Sequence, residues 1–360
     1  MMAAAEKLYG PYRWGRYDML VLPPSFPFGG MENPNLTFLT PTVISGDRAL
    51  VSLIAHELAH SWSGNLATNK TWNDTWLNEG VTTYVEHRIM EQLRGAEVAS
   101  VDWFIGRKDI DEAIAKRGKT QATALAHNYD RSLPPDDFPA DLAYDKGALF
   151  LRTLEVAYGR DKFDNFLRAW FDRYAFRSVD TKTFAARVKE QLGTKVNLDP
   201  WLYEGGVPAD ATPCPSATAS RIEGEAADFV KTGAMPDAGG WTTMEWVVFL
   251  RALPDGIAAE RVSALDAAFN LTHTANAEIA MHWLPVVVDA DIQSSAPAVA
   301  AFLSTVGRLR MVMPLYRTMM AKNDFWRSLA KSTYEKAKPV YHPITRDAVG
   351  SVLTRAPDKH

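Results

Sequence analysis

Two histidines four residues apart, with a glutamate beside the first, carry the clearest chemistry in this chain. The run is His56-Glu57-Leu58-Ala59-His60, and eighteen residues separate it from Glu79 in Trp76-Leu77-Asn78-Glu79-Gly80. On a helix, positions i and i+4 stack on one face, so both imidazoles can reach one metal ion. Glu57 then projects beside that ion, where it can take a proton from water. Glu79, on a following helix, would add an oxygen ligand. Two imidazoles, one carboxylate and an open fourth position form the ligand set of a catalytic zinc site, whereas a structural site is closed. The competing reading is a pair of ordinary helix histidines. Against it, Leu50, Leu53, Ile54 and Leu58 make the surrounding stripe apolar. Two histidines and a glutamate are costly to bury there without a partner. The ligand set by itself also admits cobalt or manganese.

Several elements must position these residues. The apolar stripe predicts a helix over 48–63, with Asp47 or Ser45 at its start and Gly64 as a left-handed stop. A second helix over 76–93 carries Glu79 and stops at Gly95. Upstream, 18–22 reads as a buried strand closed by Pro23-Pro24, and 36–40 as a strand near a sheet edge, ended by Pro41. Between them lies a loop over 27–34 in which Gly29-Gly30 is free to take positive φ. From 101 to 192 the pattern is helical, with helices expected over 144–157, 161–171 and 181–192, and little strand is expected after residue 40. Residues 205–240 turn rich in Gly, Pro, Ala, Ser and Thr, which places a linker at 208–217. Beyond it, apolar stripes at helical spacing recur near 246–253, 262–271, 277–289, 298–306, 311–320 and 325–338. Short helices joined by short turns predict stacked helix pairs, a small solenoid.

A chain of 360 residues is long for one core, so two domains are expected. A hydrophobic share of 47% with 23% charged residues is that of a globular protein. The net charge of −4, with both signs mixed, argues against a nucleic-acid or anionic-membrane surface. One cysteine, Cys214, allows no internal disulfide. No run approaches the roughly 18 apolar residues of a membrane span. Residues 1–10 lack the apolar core of a signal peptide and read as mid-helix, so the chain is expected to begin inside a domain. A cytoplasmic location is expected, with a periplasmic or secreted one left open, and the sequence does not set an oligomeric state.

Gly29-Gly30-Met31-Glu32-Asn33, then His56-Glu57-x-x-His60, then Glu79, resembles the M1 zinc aminopeptidases. Within them the chain is most similar to the branch of leukotriene A4 hydrolase and its bacterial aminopeptidase relatives, through 33–41, 62–80, Tyr144-Asp-Lys-Gly147 and Tyr341-His-Pro-Ile-Thr345. The resemblance covers essentially the whole chain. It implies a mainly α (α+β) fold: a thermolysin-like gluzincin catalytic domain over 1–207 with a small residual sheet, then an α-helical domain over 218–360. The β-rich domain that precedes these in the family would be missing.

The resemblance also implies roles. One zinc ion would be held by His56, His60 and Glu79, with Glu57 as general base and Tyr144 as oxyanion donor. Gly29, Gly30, Met31 and Glu32 would hold a peptide's free amine, and the strand over 36–40 could take its backbone by strand addition. Asp136, or equally Asp137, matches a substrate-binding aspartate. Arg308 and Arg310 match carboxylate-binding residues. Glu86, seven residues after Glu79, is either a support for the metal ligands or a surface ion-pair partner.

The implied activity is removal of N-terminal residues from short peptides. A thermolysin-like endopeptidase would share the metal residues, but Glu32 in its Gly-Gly-Met-Glu-Asn setting argues for exopeptidase action. The alternatives are an epoxide hydrolase of the leukotriene type and a catalytically weak peptide-binding remnant. Phe28 and Pro139 stand where leukotriene A4 hydrolase has tyrosines, and Pro139 argues against the epoxide chemistry.

Overall fold

The computed structural model describes residues 1–126 and 141–354. Asp136, Asp137 and Pro139 therefore lie outside the described residues. In chain order the elements are α1 (Met2–Tyr9), β1 (Asp18–Val21), β2 (Gly30–Met31), β3 (Leu36–Leu39), α2 (Val51–Ala59), β4 (Ala67–Asn69), α3 (Thr75–Arg94), α4 (Ala96–Arg117), α5 (Asp141–Tyr158), α6 (Arg160–Arg173), β5 (Arg177–Val179), α7 (Thr181–Gln191) and α8 (Leu198–Tyr203). Helices α9 (Ala217–Thr232), α10 (Thr243–Arg251), α11 (Ala259–Phe269), α12 (Ala277–Asp289), α13 (Ala296–Thr305), α14 (Leu309–Ala321), α15 (Asp324–Ala337) and α16 (Pro343–Thr354) follow. The chain is mainly helical, as its periodicity predicts. No described helix is long and apolar enough to cross a membrane.

The chain forms two compact units. One comprises 1–18, 32–37 and 52–217, the other 19–31, 38–51 and 218–360.

In the first unit α3 is the central element, packed against α1, α4 and α5. Its crossing with α5 depends on two glycines. A Cβ on Gly147 would lie 2.7 Å from the Gly80 Cα, and one on Gly80 would lie 2.6 Å from the Ala143 carbonyl oxygen. Only bare backbone on both helices allows this approach. The consequence for the site is direct, because Glu79 precedes one glycine and Tyr144 stands one turn before the other. The far end of α3 is clamped by a buried ionic network. Arg88 donates to both carboxylate oxygens of Asp164 on α6, at 2.7 and 3.0 Å, and to the Tyr84 hydroxyl at 3.0 Å. That hydroxyl donates to Glu155 of α5 at 3.0 Å. Lys146, fully buried on α5, donates to the carbonyls of Thr123 and Glu204 at 2.6 and 3.2 Å.

In the second unit α10 packs on α12, α12 on α14 and α14 on α16, while α13 packs on α15. Each helix meets the next but one, which is the packing of stacked helix pairs. The start of α10 carries a reciprocal cap: Thr242 accepts from the Glu245 N–H and Glu245 from the Thr242 N–H.

Three expectations need correction. The strand over 18–22 forms as β1 but is not buried: Met19, Leu20 and Val21 are all exposed. An apolar run marks a strand without saying whether a layer covers it. The strand over 36–40 is not at an edge. The sheet order is β1-β3-β2, so β3 is paired on both sides, and Gly30 and Met31 pair antiparallel with Leu39 and Phe38. At Phe38 and Leu39 the place an added strand would need is already taken by β2. The metal helix is shorter than 48–63, since regular α-helix ends at Ala59 and a turn carries the chain to Gly64, whose φ is +102°. Little strand follows residue 40, as expected: among the described residues it is the parallel pair β4 and β5, three residues each.

Candidate metal centre

Helix α2 presents His56 and His60 on one face, both buried. Their Nε2 atoms lie 3.1 Å apart. Glu79 enters from α3, with Oε2 3.4 Å from the His56 Nε2 and 3.5 Å from the His60 Nε2. A tetrahedron with arms of about 2.0–2.2 Å has edges of about 3.3–3.6 Å, so this triangle is close to one face of a zinc site.

The proton inventory supports the fit. His56 Nδ1 is 3.0 Å from Glu86 Oε2, and His60 Nδ1 is 3.1 Å from the Ser63 carbonyl oxygen. Both partners only accept, so both Nδ1 atoms donate and both Nε2 lone pairs face inward. Glu79 Oε2 is buried and has no hydrogen-bond partner. Three lone pairs converging in a buried space call for a cation.

The titration behaviour of the cluster follows from the same crowding. Burial disfavours positive charge at His56, but Glu79 and Glu86 outweigh it and push its pKa up. The cluster therefore favours a positive charge at this point, whether carried by a proton or by a metal ion that displaces it. Burial pushes His60 down. Burial would raise Glu79, but the two histidines keep it below the ordinary carboxylate range. Glu57 is pushed up to about 8, first by burial and then by the Glu32, Glu79 and Glu86 charges, with His56 opposing.

The residues around the triangle are built in by the same elements. Glu32, Glu57 and His60 bring one donor atom each within 4.8 Å of one another. Asn65 donates to the Glu32 carbonyl at 2.6 Å, and Asn78 donates to its carboxylate at 3.4 Å, which fixes both ends of Glu32. The Tyr144 ring stacks on His56, with centroids 5.8 Å apart. Burial, together with the charge of Glu79 and a hydrogen bond to it, holds the Tyr144 pKa well above the usual value. Tyr144 is therefore a neutral O–H donor at any ordinary pH.

The first unit thus brings together His56, His60, Glu79, Glu57, Glu32, Tyr144 and Glu86. The other described candidates lie in the second unit. Gly30 and Met31 form β2, and the Gly29 carbonyl accepts from Thr40 N–H at 2.8 Å. Arg308 precedes α14, and Arg310 forms an ion pair with the buried Glu278. Burial opposes ionisation of Glu278, but Arg310, Arg308 and His282 keep its carboxyl below the usual range. Sequence reasoning missed Asn65, Asn78, Thr82 and Glu278. Asn78 was adjacent to a predicted ligand, and Glu278 carried no signal at all.

Residues 1–201 match the model of the peptidase family M1 domain. The chain belongs to peptidase family M1. Residues 241–353 match the C-terminal domain of leukotriene A4 hydrolase. The chain is 38% identical over 379 aligned positions to leucine aminopeptidase 2 of Yarrowia lipolytica, covering 97% of this chain and 58% of that protein. It is 36% identical to a leukotriene A-4 hydrolase homolog of Botryotinia fuckeliana, over 96% of this chain and 55% of that one. The structure of yeast leukotriene A4 hydrolase in complex with bestatin superposes with a TM-score of 0.91 at 32% identity, over 98% of this chain and 62% of that one. The chain therefore spans somewhat over half the length of the relatives it matches. One zinc ion is the usual cofactor of M1 peptidases, and the donor set of His56, His60 and Glu79 fits it in both type and spacing.

Proposed function

We propose that this M1 chain is a zinc aminopeptidase that removes the N-terminal residue of short peptides. The observation that carries the reading is the placement of Glu32. Its carboxylate is clamped beside Glu57 and His60, where it can anchor an α-ammonium one residue away from the reacting carbonyl. An endopeptidase has no use for an anion fixed at that point.

His56, His60 and Glu79 would hold a zinc ion, which when bound would supply Lewis-acid polarisation of the scissile carbonyl and acidification of water. The remaining steps belong to side chains. Glu57 accepts the proton of the attacking water and delivers it to the departing amine nitrogen. Tyr144 donates its hydroxyl to the carbonyl oxygen as negative charge develops. Glu32 sets the register. For Gly29, Gly30, Met31, Asp136, Arg308 and Arg310, a substrate-binding role is supported by the resemblance of their motifs. The domain limits 1–207 and 218–360, with 208–217 as linker, are part of the same proposal.

The test is hydrolysis of an aminoacyl chromophore with a free amine against its N-acetylated form, in the native chain and in Glu32→Ala. The native chain should prefer the free amine by at least about tenfold, the scale of one lost charge-assisted bond. Glu32→Ala should erase most of that preference. Equal turnover of both substrates by the native chain would overturn the exopeptidase reading.

A further inference from the structure

Thr82 differs from the mid-helix threonines packed around it. Thr83 turns its hydroxyl back onto its own helix, donating to the Glu79 carbonyl at 2.8 Å, and Thr153 does the same to Leu149 at 2.9 Å. That is the usual fate of a mid-helix threonine. The fully buried Thr82 instead directs its hydroxyl away from α3. Its Oγ1 lies 3.1 Å from His60 Nδ1 and 3.2 Å from the Ser63 carbonyl oxygen. With the Ser63–His60 contact these form a closed triangle of polar atoms.

Only one assignment of protons satisfies that triangle. The Ser63 oxygen can only accept, so it takes a proton from each of the other two members. The Thr82 hydroxyl donates to Ser63 O, and His60 Nδ1–H is shared between Ser63 O and Thr82 Oγ1. His60 Nε2 is then left with its lone pair. The carbonyl is itself fixed, since the Ser63 hydroxyl donates to the Leu77 and Asn78 carbonyls at 2.9 and 3.1 Å. Gly64 closes the arrangement: a Cβ there would lie 3.0 Å from His60 Nδ1 and 2.2 Å from Asn78 Oδ1.

Glu86 does for His56 what Thr82 and Ser63 do for His60. Residues 79, 82 and 86 fall at i, i+3 and i+7, one stripe of α3. We propose that Thr82 is a positioning residue for the metal, and that a single stripe of α3 supplies one ligand, Glu79, while fixing the tautomer and ring orientation of the other two. The two supports differ in kind. His56 is backed by an anion and His60 by neutral acceptors, so loss of Glu86 removes charge as well as orientation, and loss of Thr82 removes orientation alone.

The inference rests on the zinc site and not on peptide hydrolysis, and its test needs no turnover. The zinc dissociation constant of the full chain is measured by competition with a chromophoric chelator, and the cobalt(II)-loaded chain gives a visible absorption spectrum. Apo-protein melting reports folding. Thr82→Val, which keeps the shape and deletes the hydroxyl, should weaken zinc binding about 10-fold or more and alter the cobalt spectrum, within the range seen when such supports are removed. Thr82→Ser should stay within about threefold of the native value on the same scale. Glu86→Gln should lose at least as much as Thr82→Val. Thr82→Ala is read in the same way if the valine variant does not fold. A folded Thr82→Val or Thr82→Ala with native zinc affinity and spectrum would overturn the proposal, as would a Thr82→Ser that loses as much as the valine variant. A chain that binds zinc in this pattern yet hydrolyses no peptide would sink the aminopeptidase reading and leave this one standing.

Discussion

Replacing Gly147 by alanine tests how the centre is assembled. The added methyl would sit 2.7 Å from the Gly80 Cα, whereas carbon atoms rest comfortably at about 3.5–4.0 Å. Both sides of the contact are helix backbone, so no side chain can rotate away, and α3 and α5 must part by about 1 Å. Alanine gains about 1 kcal/mol of helix propensity over glycine. Overpacking of this kind costs about 1–3 kcal/mol or more, and rigid backbone puts it at the upper end. The net destabilisation is then about 2 kcal/mol, or roughly 4–8 °C in Tm for a unit of this size. The same parting moves Tyr144 away from Glu79, and a displacement of about 1 Å at a reacting centre can cost about a hundredfold in rate. Gly224 is the control: it lies in α9 with no atom within 4 Å of where a Cβ would stand, so Gly224→Ala should be neutral or stabilising by up to about 1 kcal/mol. Melting, zinc titration and turnover are measured on both variants. Native Tm and zinc affinity in Gly147→Ala would refute the claim that this crossing holds the ligand set in register.

Two further outcomes follow from buried groups. Burial lowers the Lys146 pKa to about 8, below its unfolded value near 10.5. Between those values the unfolded chain binds more protons, so the contribution of Lys146 to stability rises with pH across that window and its cost is greatest below pH 8. The stability of the native chain relative to Lys146→Met should accordingly improve from pH 8 to pH 10.5, and a flat difference in chemical-denaturation series would contradict this. For Tyr144→Phe, kcat should fall about a hundredfold with KM little changed, because the lost donor acts on charge present only in the transition state. A rise in KM alone would rule out the oxyanion role.

The metal triangle was legible in the sequence because its ligands obey helix spacing, and spacing survives without coordinates. His56 and His60 needed only a helix, and Glu79 needed only a second one. Glu86 was half legible: seven residues from Glu79 put it on the right stripe, but nothing in the sequence said that His56 Nδ1 would meet it. Thr82 shares that stripe and went unnoticed, since a threonine in a helix is ordinary until its hydroxyl is seen to leave it. The glycines at 80 and 147 were visible as motif letters, yet their reason, a backbone crossing, joins positions far apart in sequence. The strand over 36–40 was misplaced for a similar cause. Pro41 limits pairing at one end of a strand, and it cannot say how many neighbours the rest of the strand has. Arg310 was found by motif, while its partner Glu278, on another helix, depended on tertiary packing alone.

The central claim is that His56, His60 and Glu79 hold one zinc ion beside a general base, Glu57. The most direct test is metal content and turnover of a free-amine aminoacyl substrate, measured side by side for the native chain and Glu57→Gln. About one zinc per chain is expected in both proteins, with the variant slower by at least about a hundredfold, the usual size of a general-base effect. Unchanged turnover in Glu57→Gln, or loss of its zinc, would contradict it.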